Sequence, residues 1–241
     1  MESSDLKSFL QTEGMVIPID KPLGWTSFDV VNKVRIYIKY RLGLPGVKAG
    51  HAGTLDPLAT GLLLLCLGKA TRSINTLQDL PKTYTGTIRL GESTPSFDAE
   101  TPVCQTAPTA HITPEMISQA ALALTGDLMQ EPPLFSAIKT GGKRAYRMAR
   151  NNEDVVLPKR PVTVYAFKTG RLENNDLPFE IQCSKGTYIR ALARDLGLGL
   201  GSCAYLTSLR RTAIGDYTTE TAFTIESLDA AFSEFLSQDQ L

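Results

Sequence analysis

Six apolar residues in succession, Leu62-Leu63-Leu64-Leu65-Cys66-Leu67, follow directly on the segment Gly50-His51-Ala52-Gly53-Thr54-Leu55-Asp56-Pro57-Leu58-Ala59-Thr60-Gly61. A run this short and this apolar reads as a buried strand. The Gly, Thr and Pro residues before it mark a bent rather than periodic backbone. The chain therefore has to place a lone carboxylate, Asp56, on a tight loop against a rigid core element, with His51 five positions before it. Catalytic groups are often held on loops aimed by a scaffold in this way.

With 241 residues the chain has room for one domain or two, and 42% hydrophobic residues suffice for a substantial core. No apolar stretch approaches the ~18 residues of a membrane span. The start, Met1-Glu2-Ser3-Ser4-Asp5, is acidic and polar, unlike a signal peptide, so a cytoplasmic location is expected. Cys66, Cys104, Cys183 and Cys203 are too far apart in sequence for a zinc knuckle, and only two histidines accompany them. They read as four reduced thiols packed as small hydrophobes, and neither a metal nor a cofactor is expected.

The formal net charge is zero, but the charge is segregated. Five basic residues and no acid lie between Val30 and Leu55 (Lys33, Arg35, Lys39, Arg41, Lys48). Five more, again without an acid, lie from Lys139 to Arg150 (Lys139, Lys143, Arg144, Arg147, Arg150). From Thr212 to Leu241 there are six acids and no Lys or Arg. Such separation can give one face a positive potential at zero net charge. The plain reading is two solvated helix faces and a solubilising tail; the flanking of the Asp56 segment favours a polyanion.

Residues 1–13 read as a loose leader. Met15 to Asp20 alternates as a strand does. Ser27 is a plausible cap for a helix from Phe28 to about Tyr40, whose Phe28, Val31, Val34 and Ile38 fall at helical spacing. Gly43 to Gly53 reads as a loop, Lys69 to Gln78 as a helix, and Thr83 to Leu90 as a strand with Tyr84, Gly86, Ile88 and Leu90 on one face. Glu92 to Ala110 is an acidic loop. Thr113-Pro114 opens a helix that Gly126 closes. An irregular basic stretch follows, with a short helix over Ala145 to Arg150. Val162 to Leu172 and Phe179 to Cys183 look like paired strands, Tyr188 to Leu196 a helix with Gly197 after it, Tyr205 to Ile214 a strand, and Ile225 to Leu236 an amphipathic last helix. Strands and helices without regular alternation argue for an α+β fold.

Several familiar signatures fail. Gly197-Leu198-Gly199-Leu200-Gly201 follows a helix, so it is no dinucleotide fingerprint, and Gly141-Gly142-Lys143-Arg144 lacks the rest of a phosphate loop. No Gly-x-Ser-x-Gly elbow exists. Asp56 alone is either a turn carboxylate, common before Pro, or a reacting group.

Five ordered patches lift that ambiguity. The Gly50–Gly61 segment resembles the second motif of the TruB-type tRNA pseudouridine synthases, which isomerise uridine 55 in the T-loop of tRNA. Met15 to Val34, with Asp20-Lys21-Pro22 and Gly24-Trp25-Thr26-Ser27, resembles their opening motif. Lys82-Thr83-Tyr84 with Leu90-Gly91, then Cys183-Ser184-Lys185-Gly186-Thr187-Tyr188-Ile189-Arg190, then Leu209-Arg210-Arg211-Thr212 resemble the later ones in the same order. The resemblance implies an α+β fold with a mixed, mainly antiparallel central sheet flanked by helices. It implies one catalytic domain over 14–241, with a basic RNA-binding insertion at about 134–156 and an acidic tail at 212–241.

The resemblance also assigns roles. Asp56 is the catalytic carboxylate, attacking C1′ or taking a sugar proton. Arg190 pairs with it and keeps it ionised. Tyr84 stacks on the target base, and His51 helps displace that base from its stack. Lys21 is a positioning residue, Leu209 lies against the pocket, and Tyr188 belongs to the substrate site. Arg72 stands where the family usually has Lys and contacts RNA. Lys139, Lys143, Arg144 and Arg147 suit phosphate contacts, with hinge freedom from Gly141-Gly142. Glycosidases normally use two carboxylates; no second acid is comparably placed, which fits isomerisation better than hydrolysis. The expected partner is the T-stem-loop of tRNA, bound by a monomer without a protein partner. One departure stands out: only about 29 residues follow Thr212, too few for the second RNA-binding domain of many bacterial members. An RNA-binding folding helper and a nucleoside glycosidase are the competing readings.

Overall fold

The computed structural model describes residues 3–136, 138–140, 143–150, 157–228 and 230. The chain forms two compact units, Met1–Lys82 with Arg210–Leu241, and Thr83–Leu209.

The first unit begins with α1 (Ser3–Thr12), β1 (Met15–Lys21), α2 (Ser27–Arg41), β2 (Ala49–His51), β3 (Ala59–Leu67), a 3-10 turn over Gly68–Ser73 and α3 (Ile74–Asp79). β3 pairs antiparallel with β1, Ile17 opposite Leu65 and Ile19 opposite Leu63, and with β2, His51 opposite Leu65. The apolar run is continuous because both its faces are covered. Leu63, Leu65 and Leu67 join Met15, Ile17, Ile19 and the Val30, Val31, Val34 and Ile38 stripe of α2 in one cluster. Leu62 and Leu64 pack on the other side with Ala52 and Ile214. Each such side chain removed from water contributes roughly 1.5–3 kcal/mol.

The leader is not loose: α1 is helical and its Leu10 is buried. Gly68 explains how closely this end of α1 is seated. It has φ +60°, and a Cβ there would collide with the Leu10 carbonyl. Gly68→Ala is expected to cost about 2–4 kcal/mol of unfolding free energy in urea titrations, from left-handed strain plus overpacking.

α2 starts one residue earlier than expected. Thr26 caps it, accepting from the Asp29 N–H at 3.1 Å, while the Asp29 carboxylate accepts from the Thr26 N–H at 2.8 Å. This reciprocal pair closes a capping box and leaves the Ser27 hydroxyl for another use. The helix expected over Lys69 to Gln78 divides into the 3-10 turn and α3, with Ser73 the last residue of the one and the N-cap of the other.

The second unit contains most of β4 (Lys82–Leu90), then β5 (Glu92–Ser93), β6 (Gln105–Thr106), α4 (Pro114–Ala123), β7 (Gly126–Gln130), β8 (Lys139–Thr140), β9 (Lys143–Arg144), α5 (Ala145–Arg150), β10 (Arg160–Thr169), β11 (Asp176–Cys183) and α6 (Ile189–Gly199). β12 (Ala204–Ile214) begins in it and ends in the first unit, where β13 (Tyr217–Thr218) follows. Neighbouring strands here run β12-β4-β11-β10-β7, with β10 antiparallel to both β11 and β7. In the first unit β1-β3-β12 is the order. The α+β class and the mainly antiparallel sheet stand as expected.

Gly126 does not close α4; the helix ends at Ala123, and Gly126, at φ +99°, opens β7. Gly197 lies inside α6 rather than after it, and a Cβ there would press into the backbone of Cys203 and Ala204. Cys66, Cys183 and Cys203 are buried thiols, whereas Cys104 is exposed. The last helix is described only as far as residues 228 and 230, with Ile225 and Leu228 buried in the first unit's core. The rest of that prediction lies outside the described residues.

Candidate active site

The Asp56 turn belongs to the first unit. Asp56 is half-buried on the turn between β2 and β3, and its carbonyl accepts from the Ala59 N–H at 3.0 Å. The backbone on either side of it is anchored. The Ser27 hydroxyl accepts from the Leu55 N–H at 2.8 Å. The Pro57 carbonyl accepts from the Gly24 N–H at 2.8 Å and from Lys21 Nζ at 3.4 Å. Lys21 is fully buried and also donates to the carbonyls of Trp25 (2.7 Å) and Pro22 (3.0 Å). A buried ammonium saturated by carbonyls fixes the turn more firmly than a surface lysine could.

Burial pushes the Lys21 ammonium down to about 8; Asp56 opposes this, Arg211 adds to it and Asp29 again opposes it. Between about 8 and the ordinary 10.5 the folded protein binds fewer protons at this group than the unfolded chain, so its contribution to stability rises with pH there. The loop loses its buried charge over the same window. Activity is expected to fall above pH about 8, and Lys21→Arg should remove that alkaline limb, because a guanidinium stays charged. A rate profile from pH 6 to 10 checks this.

His51, on β2, is half-buried. Burial first, then the charge of Arg211, holds its imidazolium below the ordinary 6.5, against the Gly53 backbone. Arg72 is exposed on the 3-10 turn and lines a cleft of about 310 Å³ together with Lys48 and Lys69. Two arginines of β12 also belong to the first unit. Arg210 grips Asp20 at 3.0 and 2.6 Å. Arg211, 1% exposed, donates from Nε to the Leu62 carbonyl at 2.7 Å and from Nη2 to the Gly53 carbonyl at 3.1 Å.

The second unit holds the other expected residues. Tyr84 is buried on β4, and Leu209 is half-buried on β12. Arg190 is buried in the first turn of α6. Its Nη1 donates to the Ser96 carbonyl at 3.1 Å and lies 3.4 Å from Asp98 Oδ2, and its Nη2 donates to the Phe135 carbonyl at 3.0 Å. The segment that receives it is itself rigid: the Ser96 hydroxyl donates to Asp98 Oδ1 at 2.6 Å, the Thr94 hydroxyl to the Asp98 carbonyl at 2.7 Å, and Phe97 takes φ 58°. Tyr188 precedes the helix. Its peptide is bracketed by the Gln130 carboxamide at 2.8 and 3.1 Å, and the Arg160 guanidinium lies 4.3 Å from its ring centroid.

Lys139, Lys143 and Arg144 lie on the β8–β9 pair and Arg147 on α5; their side chains lie outside the described residues. Sequence reading missed Ser27, Arg211, Ser96 and Asp98. The Thr26-x-x-Asp29 capping pattern could have released Ser27 from its assumed role; an isolated Ser or Asp in an acidic loop carries no such signal. Among the described residues no group of three or more His, Cys, Asp or Glu is placed to hold a metal ion, and no helix is long and apolar enough to cross a membrane.

Comparison with known proteins identifies the family. Residues 39–189 match the model of the TruB family pseudouridylate synthase (N terminal domain), and residues 190–240 that of the tRNA pseudouridylate synthase B C-terminal domain. The tRNA pseudouridine synthase B of Phocaeicola vulgatus is 47% identical over 229 residues, covering 95% of this chain and 96% of the relative. That of Flavobacterium johnsoniae is 49% identical over 214 residues, covering 88% and 93%. Among solved structures, a Cbf5-Nop10-Gar1 complex contains a chain 31% identical with a TM-score of 0.67, and the archaeal box H/ACA sRNP Nop10-Cbf5 complex one 27% identical with a TM-score of 0.65. Both are matched over 98% of this chain, which spans only 59% and 58% of those longer chains. With both family models together running from residue 39 to 240, and full-length relatives at nearly half identity, the chain belongs to the TruB family of pseudouridylate synthases.

Proposed function

We propose that this chain isomerises uridine 55 in the T-loop of tRNA to pseudouridine. The observation that carries the reading is the turn bearing Asp56, anchored at Leu55 by Ser27 and at Pro57 by buried Lys21, in a chain whose close relatives are named tRNA pseudouridine synthase B. Chemistry at a sugar carbon needs a carboxylate held at a set distance, and a floppy loop would forfeit that.

In the proposed reaction the bond from N1 of the base to C1′ breaks, the base turns over, and C1′ joins C5. The proton on C5 leaves and N1 gains one, so the product is an isomer and no redox partner is consumed. Asp56 attacks C1′ or removes a sugar proton. Arg190 is its cationic partner, Tyr84 stacks on the turning base, and His51 takes part in displacing it. Tyr188 and Leu209 shape the pocket. Arg72 and the basic residues Lys139, Lys143, Arg144 and Arg147 meet phosphates, contacts that add affinity without reading sequence.

The test is turnover of an unmodified tRNA transcript without added metal, mapped by a pseudouridine-specific chemical stop. A single stop at the T-loop uridine is expected. A stop at another uridine would overturn the site, release of free uracil would point to a glycosidase, and binding with no stop would favour an RNA-folding helper.

A further inference from the structure

Arg211 is a buried, charged side chain next to the Asp56 turn, and neither the family motifs nor the reaction above gives it a task. Two of its acceptors are informative. The Gly53 carbonyl lies three residues before Asp56 and the Leu62 carbonyl six residues after it, so one guanidinium bridges both ends of the loop that carries the carboxylate. The approach is close: Gly61 has φ +100°, and a Cβ there would collide with the Arg211 carbonyl. Both of these acceptors are neutral, so these two hydrogen bonds do not cancel the positive charge. Its reach is visible in the two titratable neighbours it pushes down, Lys21 and His51.

We propose that Arg211 is a positioning residue for the isomerisation, stapling the neck of the Asp56 loop at Gly53 and Leu62 while Lys21 and Ser27 hold its crown. A planar guanidinium donates to two carbonyls at a fixed spacing; a lysine ammonium has no such fork and cannot reproduce it. The inference rests on the functional reading above. Loss of the staple lets the carboxylate wander, and a misplacement near 1 Å costs about 100-fold in rate. Binding of tRNA, spread over many phosphate contacts, should hardly change.

The experiment compares wild type, Arg211→Gln and Arg211→Lys in three readouts: single-turnover rate at saturating enzyme, tRNA affinity, and the ring titration of His51 by NMR. Only two histidines, His51 and His111, occur in the chain, so assignment is simple. Arg211 is the charged group acting on His51; burial and the Gly53 backbone are the other influences. Arg211→Gln should lose about 100-fold in rate with affinity kept within about threefold, and its His51 titration should move up. Arg211→Lys should lose roughly tenfold or more in rate while His51 stays low, since the charge remains but the fork does not. Wild-type rates in either variant would overturn the proposal, as would rate and affinity falling in proportion. If Arg211→Gln does not fold, Arg211→Lys decides alone. Should wild-type protein bind tRNA and form no pseudouridine, the functional reading fails. The staple is then judged by amide exchange across residues 53–62: faster in Arg211→Lys supports it, unchanged refutes it.

Discussion

Asp56→Asn is expected to reduce pseudouridine formation by about 10⁴-fold or more, the usual scale for loss of a reacting side chain. The substitution is a clean one in this setting. The anchors of the turn described above, Ser27 on the Leu55 N–H and Lys21 and Gly24 on the Pro57 carbonyl, grip backbone, so an isosteric side chain leaves these in place. The nearby Lys21 ammonium loses a stabilising negative charge, and its discharge should then occur at lower pH. Single-turnover assays on a tRNA transcript, run beside urea unfolding, separate chemistry from folding: stability is expected to stay within about 1 kcal/mol. A variant retaining a tenth of the wild-type rate would remove Asp56 from the mechanism.

Arg190→Met should be the most damaging change in the second unit. It deletes a guanidinium that satisfies the carbonyls of Ser96 and Phe135 and faces Asp98 at 3.4 Å, with both charged side chains nearly inaccessible. Breaking a buried ion pair from one side leaves the other charge uncompensated and costs about 3–5 kcal/mol. Turnover should fall below detection, because the proposed partner of the carboxylate is gone. Adding Asp98→Asn to Arg190→Met removes the orphaned charge and should recover part of the stability but none of the activity. Urea titrations and turnover on the same three proteins check both halves. Equal stability of Arg190→Met and wild type would show that the ion pair carries no structural weight.

Much of this protein was legible in its residues because the relevant physics is local. The run Leu62 to Leu67 reads as a buried strand because it is short, apolar throughout and preceded by a Gly- and Pro-rich turn, and β3 is covered on both faces. The helical stripe of Val31, Val34 and Ile38 placed α2, and the Gly-Thr-Pro context placed Asp56 on a turn. Ordered motifs from Lys21 to Arg211 indicated the family that the comparisons then showed. Tertiary structure decided what holds those residues in place. Ser27 looked like a helix cap until Thr26 took that task and the Ser27 hydroxyl met Leu55, 28 positions away. Gly197 looked like a stop until the backbone of Cys203 and Ala204 packed against it. Arg211 reaches across 158 positions to Gly53, and Asp98 meets Arg190 from a loop with no periodicity. Propensity and pattern act over a few residues, so they place strands, helices and turns. A buried charge chooses its partners only after the chain has folded, because burial itself creates the demand for them.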